Sequence, residues 1–328
     1  MTSYGLPYKG SKNKIAKWVL DNLPKANTLV ELFFGGGAIT HCAIERGQYN
    51  NYIANDLRGT ANIFLDVIKG KRHDLYTRFV WPDEFNREKH DDLLLALIWS
   101  FSNNERTYLY GPKWIDYKYA AHKAIVDNDF ELIAKFYADD IVKLLQSKLE
   151  PISELHDRRL CWSSTVQRLC RLSTFIDNFR ADDLCNSTAS LRVIQNLERV
   201  SRLQNLECVS RLLNLERVSR LQNLERVNKE LSFKPFKCDY RDIQIPSDSV
   251  VYCDPPYVNT SGYKDADEFD SKAFLDWAVE VGRNNPIYIS EYQIDDPRFV
   301  CVAEKARNQT AAGHGHHQQC IEKLYTAK

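Results

Sequence analysis

The sequence carries no net charge: Lys+Arg and Asp+Glu each number 44. Bulk charge gives no argument for or against a polyanionic partner, so any basic surface has to be local. No run of about 18 apolar residues occurs, and no membrane-spanning helix is expected. The opening residues, MTSYGLPYKGSKNK, hold no apolar segment of the kind a secretory signal needs, so a cytoplasmic location is expected. The nine cysteines are dispersed from Cys42 to Cys320 without a C-x-x-C pair. That pattern reads as reduced thiols, not a disulfide framework or zinc site. What is present is ordinary for a folded protein. The 328 residues are 44% hydrophobic and 27% charged, enough for one large or two modest domains.

Residues 13–23, NKIAKWVLDNL, space their apolar positions as a helix does. Leu29 to Phe34, LVELFF, is a short apolar run halted by Gly35-Gly36-Gly37, after which AITHCAIERG follows. That order reads as strand, tight turn, helix. Tyr52-Ile53-Ala54 is a second short strand ending at Asn55-Asp56. A strand–helix–strand unit at this spacing predicts a parallel, doubly wound α/β sheet. Later in the chain, Ser249 to Cys253 reads as a buried strand running into Asp254-Pro255-Pro256-Tyr257. Residues 269–282 read as a helix and 286–292 as another strand. The sheet is therefore expected to be split by an insertion at about 70–232.

Within the insertion, WSFSNNERTYLYGPKWIDYKYAAHK (99–123) is rich in aromatics, Asn and Lys. It reads either as the core and surface of a helical domain or as a nucleic-acid surface. Further on, Asn196, Asn205, Asn214 and Asn223 recur every nine residues, each followed by Leu and Glu. The unit is NLERVSRLQ, with apolar residues at every third position. On an α-helix each such step rotates about 300°, so the stripe drifts around the axis. On a strand a step of three alternates faces. A path of three residues per turn or a small solenoid fits the period better. The repeat is expected to be an inserted spacer, its six Arg and four Glu a weak hint of DNA contact.

Chemistry concentrates in two places. Glu31-x-Phe33-x-Gly35-x-Gly37 ends the first strand, where glycines let a ligand approach the backbone. Asp56 ends the second strand, placed to accept hydrogen bonds from ribose hydroxyls. A dehydrogenase fingerprint would want a small residue where Thr40 stands, so a dinucleotide is disfavoured. The turn suits an adenosyl ligand without phosphate, such as S-adenosylmethionine. The second place is Asp254-Pro255-Pro256-Tyr257. The exocyclic amine of a nucleobase is a poor nucleophile because its lone pair is delocalised into the ring. The Asp254 carboxylate and the Pro255 carbonyl can each accept one N–H and free that lone pair. The prolines fix the loop so that both acceptors aim at one spot. Tyr257 offers a ring on which a flipped base can stack. No metal is needed, because a sulfonium methyl transfers by direct displacement.

Phe33-x-Gly35-x-Gly37 followed by Asp254-Pro255-Pro256-Tyr257 resembles the amino-methyltransferases of DNA. More narrowly, the chain resembles the D12 class of DNA adenine methylases, which includes the Dam methylases. Pro7-Tyr8-Lys9-Gly10-Ser11-Lys12 matches the lysine motif that opens that family. The resemblance covers 7–60 and 236–328, and extends loosely through 99–111. It implies a doubly wound, Rossmann-like methyltransferase sheet with an inserted, mainly helical target-recognition domain. On that reading 1–70 and 233–328 form the catalytic domain, 71–190 the DNA-binding domain and 191–232 the repeat insert. The resemblance further implies that Tyr8, Lys12, Glu31, Phe33, Gly35, Gly37, Asp56, Asp239 and Asp254 serve the S-adenosylmethionine site. Asp239 would sit near the adenine and Asp254 between cofactor and target base. Ser290-Glu291-Tyr292 matches a late strand motif that supports the base pocket, and Glu322-Lys323-Leu324-Tyr325 the family's closing segment.

The expected function is methyl transfer from S-adenosylmethionine to adenine N6 in double-stranded DNA by base flipping, with no obligatory protein partner. Two alternatives stand beside it. Cytosine N4 presents a similar amine to the same loop, and a catalytically silent DNA-binding module would keep the fold alone. AAGHGHHQQC (311–320) reads as a mobile loop, with a metal site as the alternative.

Overall fold

A computed structural model describes residues 4–137, 139–155, 157–159, 161, 162, 164, 165, 215–228, 230–256, 269–310 and 317–328. The chain divides into two compact units, 1–72 with 220–328, and 73–219. In chain order, the first stretch holds α1 (Ala16–Asp21), β1 (Thr28–Glu31), α2 (Ala38–Glu45), β2 (Asn51–Asn55) and α3 (Thr60–Ile68). Then come α4 (Asp74–Thr77), α5 (Pro82–Glu88), α6 (Leu93–Trp99), α7 (Ile115–His122) and α8 (Asp139–Leu149). The return to the sheet runs through α9 (Leu215–Glu225), β3 (Ser232–Phe236), β4 (Ser249–Cys253), α10 (Ser271–Gly282), β5 (Ile287–Glu291), β6 (Phe299–Thr310) and β7 (His317–Ala327).

The first unit is built on a seven-stranded sheet ordered β3-β2-β1-β4-β5-β7-β6. The pairs β3·β2, β2·β1, β1·β4 and β4·β5 are parallel, and β7 runs antiparallel to both β5 and β6. Every residue of β1 and β4 is buried. Strands covered on both faces need no polar alternation, which is why they read as continuous apolar runs. Val30 lies beside Ile53 on one side and Val251 on the other. Helix α10 lays Phe274 and Ala278 against this core and is capped by Asp270, which accepts from the Ala273 N–H at 2.9 Å. The expected mixed α/β fold with a mostly parallel sheet is present. LVELFF is a strand only to Glu31, because Leu32 to Phe34 turn out of the sheet towards the glycines.

Residues 215–225, the end of the nine-residue repeat, are an α-helix, contrary to the expectation of a three-per-turn path. Leu221 and Leu224 on it are fully buried, followed by Val227. Steps of three drift by about 60° each, so three apolar positions still fall within one helix face. The drift defeats a long helix, not one of 11 residues. The earlier copies lie outside the described residues.

The second unit is helical where described. Tyr117, Ala121, Ile125, Ile133, Leu145, Leu149 and Trp162 form its core. Arg158 is buried there without a carboxylate partner in its hydrogen bonds. Its guanidinium donates to the carbonyls of Ala124, Ile125 and Leu149 at 3.0, 2.6 and 2.8 Å and to Asn128 Oδ1 at 2.7 Å. It thus satisfies carbonyls that helix ends leave orphaned. Arg217, one of the repeat arginines, does the same for α6, donating to Ile98 and Ser100 carbonyls at 2.6 Å each.

Aromatic residues of the 99–111 segment divide between core and surface. Trp99 and Tyr110 are buried, while Phe101 is 55% exposed. Ser102, Asn103 and Glu105 adopt positive φ of 51°, 56° and 61°, each at a cost of roughly 1–2 kcal/mol. The turn is tied by Asn104 Oδ1, which accepts from the Arg106 and Thr107 N–H groups.

Candidate active site

The order of the sheet reverses between β1 and β4, and their carboxyl ends lie side by side, Glu31 opposite Tyr252. In open α/β sheets ligands bind outside the carboxyl ends at such a switch point. Four sequence stretches deliver side chains there. The turn after β1 carries the glycines, Asp56 follows β2, Asp254 follows β4, and Lys12 comes from the segment before α1.

The glycine turn is a close-packed object. Gly37 has φ +67°, and a Cβ there would lie 2.1 Å from the Phe34 ring. A Cβ on Gly36 would lie 2.8 Å from the Tyr8 Cβ and 2.9 Å from the Leu6 carbonyl oxygen. Tyr8 therefore sits directly over the turn. Asp56 fixes its conformation, accepting from the Gly35 N–H and the Arg58 N–H at 2.9 Å each. Burial pushes the Asp56 carboxyl above its usual range, against the pull of those two bonds. Asn55 ties the end of β2 to the stretch after β3, donating to the Cys238 carbonyl at 3.0 Å and accepting from the Cys238 N–H at 3.1 Å.

Glu31 is 3% exposed, and its Oε2 accepts from both the N–H and the hydroxyl of Thr40 on α2. Burial pushes its carboxyl from 4.5 up to about 8, and the charges of Asp254 and Asp56 add to the rise. Glu31 is thus mostly protonated at neutral pH. Its raised value contributes stability that is fully present below pH 4.5 and is lost as pH climbs through 8, a change of about 5 kcal/mol. Glu31→Gln keeps an acceptor for Thr40 and removes the titration. Its stability relative to wild type, read by urea unfolding, is expected to improve between pH 5 and pH 9. Equal margins at the two pH values would refute the assignment.

Lys12 is 8% exposed and its Nζ lies 2.7 Å from Asp254 Oδ1 and 3.6 Å from Glu322 Oε1 on β7. Asp254 is 19% exposed and Glu322 is fully buried. Pro255 is buried behind Asp254. Below the loop, Tyr252 and Ser290 join β4 to β5 through a 2.8 Å hydroxyl pair. Phe33 forms an aromatic wall with Tyr240, Phe269 and Phe274, ring centroids 5.3–5.7 Å apart.

Tyr8, Lys12, Glu31, Gly35, Gly37, Asp56 and Asp254 thus belong to one edge of the sheet. Asp239 follows β3 and is held by Arg241, whose Nε and a terminal nitrogen donate to it at 2.8 and 2.7 Å. That pairing pulls its carboxyl below the usual range. Tyr257 lies outside the described residues, as do 311–316 of the His-rich segment. Glu322 is the site residue that reading the sequence as motifs left without a role. The only signal was its place in the closing segment.

A mostly parallel seven-stranded sheet with this crevice fits a methyltransferase of Rossmann-like fold. Residues 8–92 match the family model described as D12 class N6 adenine-specific DNA methyltransferase. The match takes in Tyr8, Lys12, the glycine turn and Asp56, and it supports an enzyme of that kind, an adenine-specific DNA methyltransferase. No curated protein matches the chain. Among the described residues no helix is long and apolar enough to cross a membrane.

Proposed function

We propose that the protein transfers a methyl group from S-adenosylmethionine to the N6 of an adenine flipped out of double-stranded DNA. The observation that carries this reading is Asp254, held at the switch point by a buried lysine and neighboured by the glycine turn. The glycine turn packed under Tyr8, its Gly35 N–H held by Asp56, would border the adenosyl group. Tyr8, Lys12, Glu31, Phe33, Gly35, Gly37, Asp56 and Asp239 would hold the cofactor, which supplies an electrophilic methyl on a sulfonium.

The chain's own residues do the rest. Asp254 and the Pro255 carbonyl accept the two N–H bonds of the amine, which localises the nitrogen lone pair. Tyr257 offers the ring on which the extruded base stacks, offsetting a few kcal/mol of lost stacking and pairing. The 71–190 region, nearly all of it within the 73–219 unit, is the target-recognition domain on this reading. Phe101, Asn104 and Arg106 are among its exposed side chains and would reach bases and phosphates. Phosphate contacts there would make binding fall steeply with salt.

The test is nucleoside mass spectrometry on unmethylated DNA incubated with the protein and S-adenosylmethionine. N6-methyladenine is the expected product. N4-methylcytosine would keep the chemistry and overturn the acceptor. No methylated base, together with no cofactor binding, would leave only a silent DNA-binding module.

A further inference from the structure

We propose that Glu322 is a positioning residue that shares the Lys12 ammonium with Asp254 and thereby sets how firmly that ammonium holds the carboxylate. The role assigned to Asp254 rests on the function proposed above; the sharing itself rests on geometry alone. Because β7 is antiparallel to β5, its residue 323 pairs with Glu291 at the carboxyl end of β5. Glu322 is therefore carried to the same edge of the sheet as Glu31 and Asp254. It is a fully buried carboxylate, and its Oε1 lies 3.6 Å from Lys12 Nζ.

An ammonium has three N–H donors and no preferred plane. One donor reaches Asp254 Oδ1 at 2.7 Å, and Glu322 draws on the same charge from 3.6 Å. A buried lysine facing a single carboxylate forms a tight pair that neither partner leaves cheaply. A second carboxylate loosens it, so an incoming amine can compete for Asp254. Glu31, Tyr252 and Cys253 are further ionisable groups around Asp254. Burial holds Tyr252 and Cys253 protonated, and Glu31 is mostly neutral below pH 8. Lys12 is thus a charge that favours ionised Asp254, and Glu322 draws on that same charge.

Two experiments test this. The first is the pH profile of kcat. Glu322→Gln removes a negative charge near Asp254 and releases Lys12 to it, so ionised Asp254 is favoured. The acid limb is expected to move down by about one pH unit, while the plateau falls about tenfold because the tighter clamp resists the amine. Lys12→Met is expected to move the limb upward, and Glu322→Asp to restore the wild-type limb in part. A Glu322→Gln limb that stays in place or moves upward would overturn the proposal, since a mere brace lowers stability without moving it. The second experiment needs no activity. In a urea-unfolding cycle of Asp254→Asn, Glu322→Gln and the double variant, each single variant keeps one of these two carboxylates at Lys12. The double variant removes both of these carboxylates from Lys12 and should lose more stability than the two singles summed. Additive losses would overturn the sharing. A wild-type protein that makes no N6-methyladenine, yet shows the non-additive loss, would overturn the function proposal and leave the shared ammonium standing.

Discussion

Asp254→Ala is expected to lower kcat for adenine methylation by at least about 10³-fold while the protein stays folded. The reaction needs an acceptor fixed beside the amine, and alanine removes it without touching the sheet. The buried Lys12 retains Glu322, 3.6 Å away, so the substitution does not strand a charge in the interior. Melting temperature should fall by a few degrees at most. Binding of S-adenosylmethionine, followed by calorimetry, should stay within about tenfold of wild type, since the loss falls on the reacting amine. Asp254→Asn is the isosteric companion and should lose nearly as much, because an amide is a weaker acceptor than a carboxylate. Turnover within tenfold of wild type in either variant would remove Asp254 from the chemistry.

The largest expected effect on stability belongs to Gly37→Ala. The left-handed backbone alone costs alanine roughly 1–2 kcal/mol. The added methyl would also meet the Phe34 ring at 2.1 Å. Phe34 cannot yield freely, because it packs edge-on against Phe64 at 5.1 Å. Overpacking adds roughly 1–3 kcal/mol, so the total is about 2–5 kcal/mol against a typical stability of roughly 5–15 kcal/mol. A drop of roughly 10 °C in melting temperature should follow, with cofactor affinity lost alongside. Gly47 is the matched control: its φ is +58° and nothing lies within 4 Å of an added Cβ. Gly47→Ala should show the backbone cost alone. Equal losses in the two variants would mean that the Phe34 contact is relieved at no cost.

What the sequence made legible was local. SVVYC is a strand over residues 249–253 because a continuous run of β-branched and aromatic residues with no alternation suits a strand buried on both faces. The glycine turn was legible because three successive glycines after such a run break the strand and permit the positive φ that Gly35 and Gly37 adopt. The repeat misled because its period was judged over four copies, whereas the helix at residues 215–225 has to satisfy only one face for three turns. The 99–111 segment stayed ambiguous because composition does not say which rings are buried. Trp99 and Tyr110 face inward and Phe101 outward, a division set by the tertiary path. Lys12 meeting Glu322 was out of reach altogether. No spacing rule links residues so far apart in the chain, and only the reversed direction of β7 brings them together.

Parallel pairing of β2 with β3 closes a loop over residues 56–231, which holds the whole helical unit and the repeat. Closure entropy grows only as the logarithm of loop length. Adding or deleting one nine-residue copy alters it by ~0.05 kcal/mol. Through closure entropy the sheet therefore hardly registers copy number, provided the last copy still supplies the buried Leu221 and Leu224. Expansion and contraction of the repeat would then be close to neutral for the fold, free to drift without selection on stability. Chains of this kind that differ in repeat number should share one unfolding midpoint.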